Sequence, residues 1–417
     1  MRNLVSNFYI LILPLFFLIS CEENTSEFSE KDKVFIKFFG SLDNDEGTKV
    51  AELTDEGFLI LGTTKTSTID DEASTDSKIL LIHTNYFGET VWEQEIGGTD
   101  GNYTAGSFII NDQNEIYISG TVQESLSSTF TNLILIKVSS TGEEIWSKTL
   151  NNASNSETAV EMVNTSDNGI ILIGNTNSST ENELTSTTQD FYVVKTDSEG
   201  NIVWERTYGF EEGKSDYGNA VVEAENGDFI WLGTTQKDNL TGSALNSDMR
   251  VVRSNSIGNL IWDYLFGGDG NDVGNKAIKH FNEYVLTGGI GNSSTNESDF
   301  YLVKINNNGK ELWSNQYGGS NDDIAYDVFT TDDGGFILTG YTFSYGNGKS
   351  DIFLVKTDFE GNLQWTSAIG GQGEDIGKSV IQTSDGGFLV SGTIEFENNT
   401  MICLIKTNSE GLTNSLN

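Results

Sequence analysis

Cysteine, proline and histidine are scarce in this sequence, and each shortage removes a class of structure or chemistry. Among 417 residues there are two cysteines, one proline and two histidines. Cys21 and Cys403 are too few to build the disulfide framework of a small exported domain, and Cys403 is predicted to be a small buried hydrophobic residue. His83 and His280 lie far apart in the sequence, so they predict neither a paired metal site nor a triad base.

Basic side chains are also few. The chain has 23 lysines and arginines against 62 aspartates and glutamates, which gives a formal net charge of −39 at pH 7. A surface of this sign repels phosphate backbones and anionic headgroups. We therefore expect a soluble, acidic protein with no nucleic-acid partner.

Glycine is abundant, with 45 residues, and aromatic residues reach 11% of the chain. The apolar fraction is only 36%. Many glycines with few prolines suit short strands joined by tight turns. The aromatic residues recur at regular positions, which argues against disorder.

The N-terminus has the features of an export signal. Arg2 precedes an apolar run from Phe8 to Ile19, which is too short to cross a hydrocarbon layer of roughly 30 Å. The run ends in "LISC" at 18–21, which resembles the lipobox of bacterial lipoproteins. The resemblance implies a signal peptide at 1–20, lipidation of Cys21 and a polar tether at 21–33. It also implies a place in the cell envelope, anchored in the outer membrane; the alternative is an ordinary secretory signal.

A thirteen-residue stretch, "YVVKTDSEGNIVW" at 192–204, returns almost unchanged as "FLVKTDFEGNLQW" at 353–365. Taking its basic residue as a reference, an Asp, Asn or Ser follows two positions later and a glycine five positions later. A type I turn prefers these residues at its first and fourth positions, so the stretch predicts a β-hairpin. Seven copies share the glycine: Gly88, Gly142, Gly200, Gly258, Gly309, Gly361 and Gly411.

Each copy also contains a second hairpin, such as "TDDGGFILTG" at 331–340, with Asp-Gly-Gly at its turn. Each repeat therefore supplies four strands, which we name A to D. Six copies carry a tryptophan in strand D, 51 to 58 residues apart: Trp92, Trp146, Trp204, Trp262, Trp313 and Trp365. This period predicts an all-β, seven-bladed β-propeller at 34–417; a solenoid, the alternative, has shorter rungs and needs capping ends.

The seventh copy ends at Asn417 without a strand D. Before the first copy, however, Phe35 stands five residues before Gly40, as Trp92 stands five before Gly97. We therefore predict that strand 34–39 is the outer strand of blade seven and closes the ring.

The repetition resembles the β-propeller repeats of exported bacterial lipoproteins. Their Gly-Gly, acidic loop, Asp-Gly-Gly-Phe and Lys-Thr-Asp-x-x-Gly-Asn-x-x-Trp pattern is matched best at 318–387, and the resemblance covers 34–417. The chain is similar, more distantly, to quinoprotein-type repeats through Gly200 to Trp204 and Gly361 to Trp365. The turn before that motif is one residue shorter here, and no ligand set for a quinone is present.

In a propeller the D–A and B–C connections share one face, which we call the loop face. Its B–C loops vary between copies, and variable loops on a rigid scaffold are where recognition usually occurs. The predicted binding face carries one acid per D–A loop in five copies, together with Tyr345: Asp45, Asp216, Asp272, Asp323 and Asp375. Asn102 and a residue near Ser156 take the place of the acid in the second and third copies.

Those carboxylates have two interpretations. As a ring they would offer oxygen ligands to Ca²⁺; as turn residues each would bond the backbone of its own loop, which is the interpretation we favour. In "DGNDVG" (269–274) Asp269, Asn271 and Gly274 match the spacing of a calcium loop, but Val273 stands where an oxygen belongs. Asp269, Asn271 and Asp272 are therefore only weak calcium candidates. No other metal and no cofactor is expected.

Other residues yield narrower predictions. Loop aromatics suited to stacking on sugar rings are Tyr103, Phe130, Phe343, Tyr345 and Phe396. The recurrent lysine is predicted to pair with turn acids such as Asp333 or Asp385 or to stay solvated. His83 and His280 are predicted at the surface.

The sequence therefore predicts a monomeric, membrane-anchored, non-enzymatic scaffold that binds proteins or glycans. Two alternatives remain: an extracellular polysaccharide-cleaving enzyme with loop carboxylates as catalysts, and a periplasmic scaffold for outer-membrane assembly.

Overall fold

The computed structural model describes residues 34–413 except 42, 55–56, 68–74, 99–100, 126–127, 129, 151–154, 178–187, 211–212, 238–245, 296 and 398. The predicted signal peptide, Cys21 and the tether lie outside the described residues. Within the described part, no helix has the length and apolar character needed to cross a membrane.

In the described part of the chain, twenty-eight strands form seven four-stranded antiparallel sheets, which confirms the predicted fold. Blade 1 consists of β2 (Glu46–Glu52), β3 (Phe58–Ser67), β4 (Thr75–Thr84) and β5 (Thr90–Ile96). Blade 2 consists of β6 (Asn102–Ile110), β7 (Ile116–Gln123), β8 (Asn132–Val138) and β9 (Glu144–Leu150). Blade 3 consists of β10 (Glu157–Asn164), β11 (Ile170–Thr176), β12 (Asp190–Thr196) and β13 (Ile202–Tyr208).

The remaining blades repeat this order. Blade 4 consists of β14 (Asp216–Glu223), β15 (Phe229–Lys237), β16 (Asn246–Ser254) and β17 (Leu260–Phe266), with a short 3₁₀ turn at Glu225–Gly227. Blade 5 consists of β18 (Val273–His280), β19 (Glu283–Gly291), β20 (Ser298–Asn306) and β21 (Glu311–Tyr317). Blade 6 consists of β22 (Asp323–Thr330), β23 (Phe336–Thr342), β24 (Asp351–Thr357) and β25 (Leu363–Ile369).

Blade 7 joins the two ends of the described chain. Its strands A to C are β26 (Ile376–Gln382), β27 (Phe388–Phe396) and β28 (Asn399–Thr407), and its strand D is β1 (Phe35–Phe39). Phe35 pairs with Lys406 and Phe39 with Ile402 in an antiparallel register. The predicted closure by the N-terminal strand is therefore confirmed, and it leaves no blade with a missing strand.

The middle strands of each blade form the core. All seven residues of β24 are buried, because neighbouring blades cover both faces of the sheet. The outer strands are half-exposed, and β5 alternates between exposed and half-buried residues. Cys403 is fully buried in β28, as predicted, and burial raises the pKa of its thiol. The histidine prediction was wrong for His280, which is buried edge-on to the ring of Phe336 at 5.0 Å.

The predicted hairpin joins strands C and D in blades 1 to 6; in blade 7 the same turn follows β28, but strand D is β1. In blade 6 the amide of Gly361 donates to the carbonyl of Asp358 at 3.1 Å, and the Asp358 side chain accepts the amides of Glu360 and Asn362. The seven turn glycines have φ between +71° and +80°, which few other residues adopt without strain. The positive φ therefore explains why every copy of the motif has a glycine at this position of the turn.

A second constraint acts on these glycines. The strand-D aromatic ring of each blade lies over the turn glycine of the next blade, so that a Cβ atom there would stand no more than 3.1 Å from the ring. Trp313 covers Gly361, Trp365 covers Gly411, and Phe35 of blade 7 covers Gly88 of blade 1. The seven contacts form an unbroken cycle around the ring.

The recurrent lysine of strand C forms an ion pair with an acid in the turn of the A–B hairpin. Lys356 pairs with Asp333 at 2.9 Å and Lys406 with Asp385 at 3.0 Å, and both lysines are buried. The predicted pairing with turn acids is confirmed at these positions. The A–B and C–D hairpins of a blade are thus tied together on the face opposite the loop face.

We predict that Gly361→Ala destabilises the protein by about 2–4 kcal/mol, because the new methyl group both strains φ and meets the Trp313 ring at 2.8 Å. Gly386→Ala is the matched control: its φ is +82°, but no atom lies within 4 Å of the added carbon, so only the strain of about 1–2 kcal/mol remains. Urea unfolding measures both. Equal losses would show that the ring contact contributes nothing.

Candidate functional site

The five predicted acids of the loop face are buried at the start of the innermost strands, and each has 0% exposure. Asp375 accepts the amide of Gly371 at 2.6 Å and that of Glu395 at 3.0 Å. Asp272 likewise accepts the amides of Gly268 and Gly291 at 2.6 and 2.8 Å. Each of these two carboxylates thus bonds its own D–A loop and the end of strand B of the same blade.

The other three acids vary this arrangement. Asp45 accepts the amides of Ser41 and Lys65, and Asp323 accepts the amide of Gly319 and the hydroxyl of Ser344. Asp216 accepts the Phe210 amide and lies 3.1 Å from the guanidinium of buried Arg250. In all five blades the acid holds the loops in place from below the surface.

The strand register locates the equivalent residue in the other two blades. Gly47, Ala105 and Ala159 all precede the same irregularity of strand A, so Tyr103 and Glu157 occupy the acid position. Asn102 and Ser156, expected there from the sequence, stand one residue earlier. Glu157 is buried, and burial raises its pKa to about 7.

The calcium candidates do not converge as ligands. Both carboxylate oxygens of Asp272 are occupied by backbone amides. The backbone carbonyl of Asp269 accepts the side-chain amide of Asn246 at 3.0 Å. Among the residues that the structure describes, no group of three or more His, Cys, Asp or Glu side chains is placed to hold a metal ion.

Carboxyl groups do meet in pairs where two blades join. The strand-C residue Asp351 and the loop acid Asp375 both lie beside Gly370. Burial, with repulsion from Asp375, raises the pKa of Asp351 to about 6. The pair Asp190 and Asp216 repeats the arrangement, and burial also raises the pKa of Asp190 to about 6. Because the pairs recur between blades, we interpret them as part of the repeat.

Exposed aromatic rings collect on the loop face of blades 6 and 7. Phe343 and Tyr345 lie in one B–C loop and are 45% and 46% exposed; the Tyr345 hydroxyl donates to the Gly318 carbonyl at 2.8 Å. In blade 7, Phe38 meets Phe396 edge-on with ring centroids 4.9 Å apart. Of the other predicted aromatics, Phe130 is exposed in blade 2, whereas Tyr103 fills the acid position of that blade.

A groove of about 640 Å³ runs beside the Phe38–Phe396 pair, between the outer strands of blades 6 and 7. Ile36, Ala368 and Ile394 contribute apolar surface, and Lys349 stands at its edge, 3.0 Å from Glu395. We call this feature the aromatic groove. The sequence indicated Phe396 but not its partner Phe38, because Phe38 belongs to the strand that closes the ring.

The central channel contains a second cavity, of about 320 Å³. Strand A of every blade has a β-bulge at the same point, and the seven extra residues all line this cavity: Thr48, Gly106, Val160, Asn219, Asn275, Tyr326 and Lys378. A bulge redirects a side chain out of the pleat. Sequence reasoning missed these positions, although each follows the loop-acid position by three residues.

No protein-family model and no curated protein matches this sequence. Among solved structures, the chain is similar to a polysaccharide lyase described as an ulvan lyase, with a TM-score of 0.53, 10% identity, and coverage of 90% of this chain and 96% of that one. It is also similar to a protein of unknown function from Dyadobacter fermentans (TM-score 0.49, 12% identity, 75% and 98% coverage). A third similar structure is the β-propeller domain of the Trilobed protease from Pyrococcus furiosus (TM-score 0.48, 9% identity, 91% and 100% coverage). At these identities the likeness concerns the fold alone.

The buried carboxyls predict an unusual pH dependence. Asp351, Asp190 and Glu157 bind their protons more tightly in the folded protein, since their pKa values lie above the ordinary value of about 4. Their stabilising contribution is therefore complete at low pH and is lost as pH rises through about 6 to 7. We expect the melting temperature to fall by several degrees between about pH 5 and about pH 7.5.

Thermal melts of Asp351→Asn test this prediction, because the amide cannot ionise and the fall should be smaller. Asp112→Asn, at an exposed position, is the control and should melt like the parent protein. Salt-bridged Asp167, whose pKa is lowered to about 2, loses its contribution only at lower pH and does not interfere. A fall of the same size in Asp351→Asn would contradict the assignment.

Proposed function

We propose that this protein is an exported, lipid-anchored, non-enzymatic propeller that binds glycan chains at the aromatic groove. The observation that carries the proposal is the pairing of exposed rings with charged groups in one groove. Phe38 and Phe396 are 37% and 46% exposed, and Lys349 and Glu395 lie at the edge. Ligand sites commonly combine apolar and aromatic walls with a few polar groups.

The geometry of the groove favours an extended ligand. It lies between two blades, and the segment 370–373, in which Gln372 alone has a side chain, forms one of its walls. The rings of Phe343 and Tyr345 lie in the neighbouring B–C loop of blade 6. A chain of sugar rings can stack on such exposed aromatic faces, while its hydroxyl groups reach Lys349, Gln372 and Glu395.

The carboxyl groups favour binding over cleavage. A glycosidase needs two carboxyls on either side of a glycosidic bond. The pairs near the loop face, such as Asp351 and Asp375, are buried and bonded to backbone amides. Their recurrence between blades supports a structural role. Release of reducing sugars from a polysaccharide would instead show a catalytic role.

We predict that Phe396→Ala abolishes or weakens glycan binding by roughly tenfold or more, because a stacking face is lost. A glycan array probed with the protein, followed by titration of the best ligand, measures this. The matched control is Phe359→Ala, which removes a ring that is 58% exposed in a C–D turn on the opposite face. Equal binding by the two variants, or an array without a ligand, would refute the glycan proposal and favour a protein partner.

The anchor is proposed from the sequence alone. If Cys21 is lipidated, cells fed a palmitate analogue will label the protein, and Cys21→Ser will abolish the label and release the chain from membranes. Protease shaving of intact cells then distinguishes surface display from the periplasmic face. Unchanged labelling in Cys21→Ser would exclude this anchor.

A further inference from the structure

Six charged side chains line the channel cavity, in a chain whose net charge is −39. Three are lysines, Lys49, Lys276 and Lys378. Of the three acids, Glu161 and Asp327 are largely shielded from solvent, whereas Glu46 stands at the edge of the cavity with a side chain that is 61% exposed. The bulges and the residues that follow them place these side chains there.

The two largely shielded acids, Glu161 and Asp327, lie close to two of the lysines, Lys276 and Lys49. Glu161 forms an ion pair with Lys276 and lies 4.0 Å from Lys49. Asp327 lies 4.0 Å from Lys276 and also accepts the backbone amide of Val380 at 2.9 Å. Lys49 further donates to the hydroxyl of Ser107 at 2.9 Å.

Lys378 is the remaining cation. Its ammonium lies 3.5 Å from the centroid of the Tyr326 ring, and within the described part of the chain it forms no ion pair. Glu46 attracts it from the mouth of the channel, but that side chain is 61% exposed and lies 3.7 Å from Lys65. One positive charge inside the cavity is therefore left without a buried counter-ion.

The cavity also provides uncharged polar groups. Asn219 and Asn275 donate their side-chain amides to the carbonyls of Gly274 and Ala325 at 2.8 and 2.7 Å, which fixes both side chains at the wall. Their oxygens, with the hydroxyl of Ser379, can bond hydroxyl groups of a ligand. The volume equals that of roughly ten water molecules, which suits a small organic molecule.

We propose that the central cavity binds a small hydroxy-carboxylate, whose single negative charge lies against the ammonium of Lys378. A singly charged anion matches the single excess cation, whereas a dianion would leave a negative charge buried. The carboxylate can belong to a free sugar acid or to a uronic acid residue of an acidic glycan. The site is separate from the aromatic groove, so this proposal does not depend on the function proposed above.

Burial gives the binding a distinct pH dependence. It lowers the pKa of Lys378 and Lys49 to about 8, while the pKa of Tyr326 is raised, so the tyrosine stays neutral. Among the other charges around the cavity, Glu46 attracts Lys378 and offsets only part of the effect of burial on its pKa, whereas Glu161 and Asp327 act on Lys276 and Lys49. Anion affinity should therefore be present near neutral pH and be lost as pH rises above about 8.

Calorimetric titration with D-glucuronate, trigalacturonate and methyl β-D-glucoside tests the proposal. We expect the intact protein to bind a carboxylate probe at about pH 7 but not the neutral glucoside. Lys378→Met should weaken that binding at least about tenfold, as should a change to about pH 9.5. Lys310→Met removes an exposed lysine from a C–D turn on the face opposite the loop face, away from both cavities, and should bind as the parent does.

Folding and ligand source are controlled separately. Because Lys378 has no buried acid to leave unpaired, Lys378→Met should melt at or above the temperature of the parent. Tighter binding of glucuronate supports a free sugar acid, and tighter binding of trigalacturonate supports a glycan end. The proposal is overturned if neither carboxylate binds at millimolar concentration, if the glucoside binds equally, or if folded Lys378→Met keeps the parent affinity.

Discussion

The structure depends on one contact that is made seven times. In each blade an outer-strand aromatic ring lies on the turn glycine of the following blade, where any side chain would displace it. The contact therefore requires both the aromatic ring and the glycine, and both residues belong to the same short motif. Because each motif supplies the ring for one junction and the glycine for another, the blades form a closed circle only when the last ring, that of Phe35, is contributed from the start of the propeller.

This dependence explains which parts of the architecture could be predicted from the sequence. A turn glycine with positive φ and an oxygen-bearing side chain three residues before it are local requirements, so they are visible in each copy. Blade number and closure follow from counting them. Phe35 could be assigned because its distance from Gly40 equals that of Trp92 from Gly97.

Less of the candidate sites could be predicted from the sequence. An aspartate at the start of strand A can offer its oxygens to a cation or to a backbone amide, and the sequence does not distinguish the two. The structure does: Asp375 is 0% exposed and accepts the amide of Gly371. The seven bulge residues of the channel belong to six residue types, so no motif marks them. The ion pair of Lys276 with Glu161 joins residues of blades 5 and 3, and such a pairing across the channel has no signature in local sequence.

The bulge in strand A has a consequence for how such a protein can diversify. The seven extra residues range from glycine to tyrosine and lysine, while the strands that carry them keep one register. The hydrogen-bonded ladder passes each bulge whatever side chain it holds. The lumen can thus acquire or lose charge, size and hydrogen-bonding capacity one residue at a time, while the surrounding ring keeps its shape.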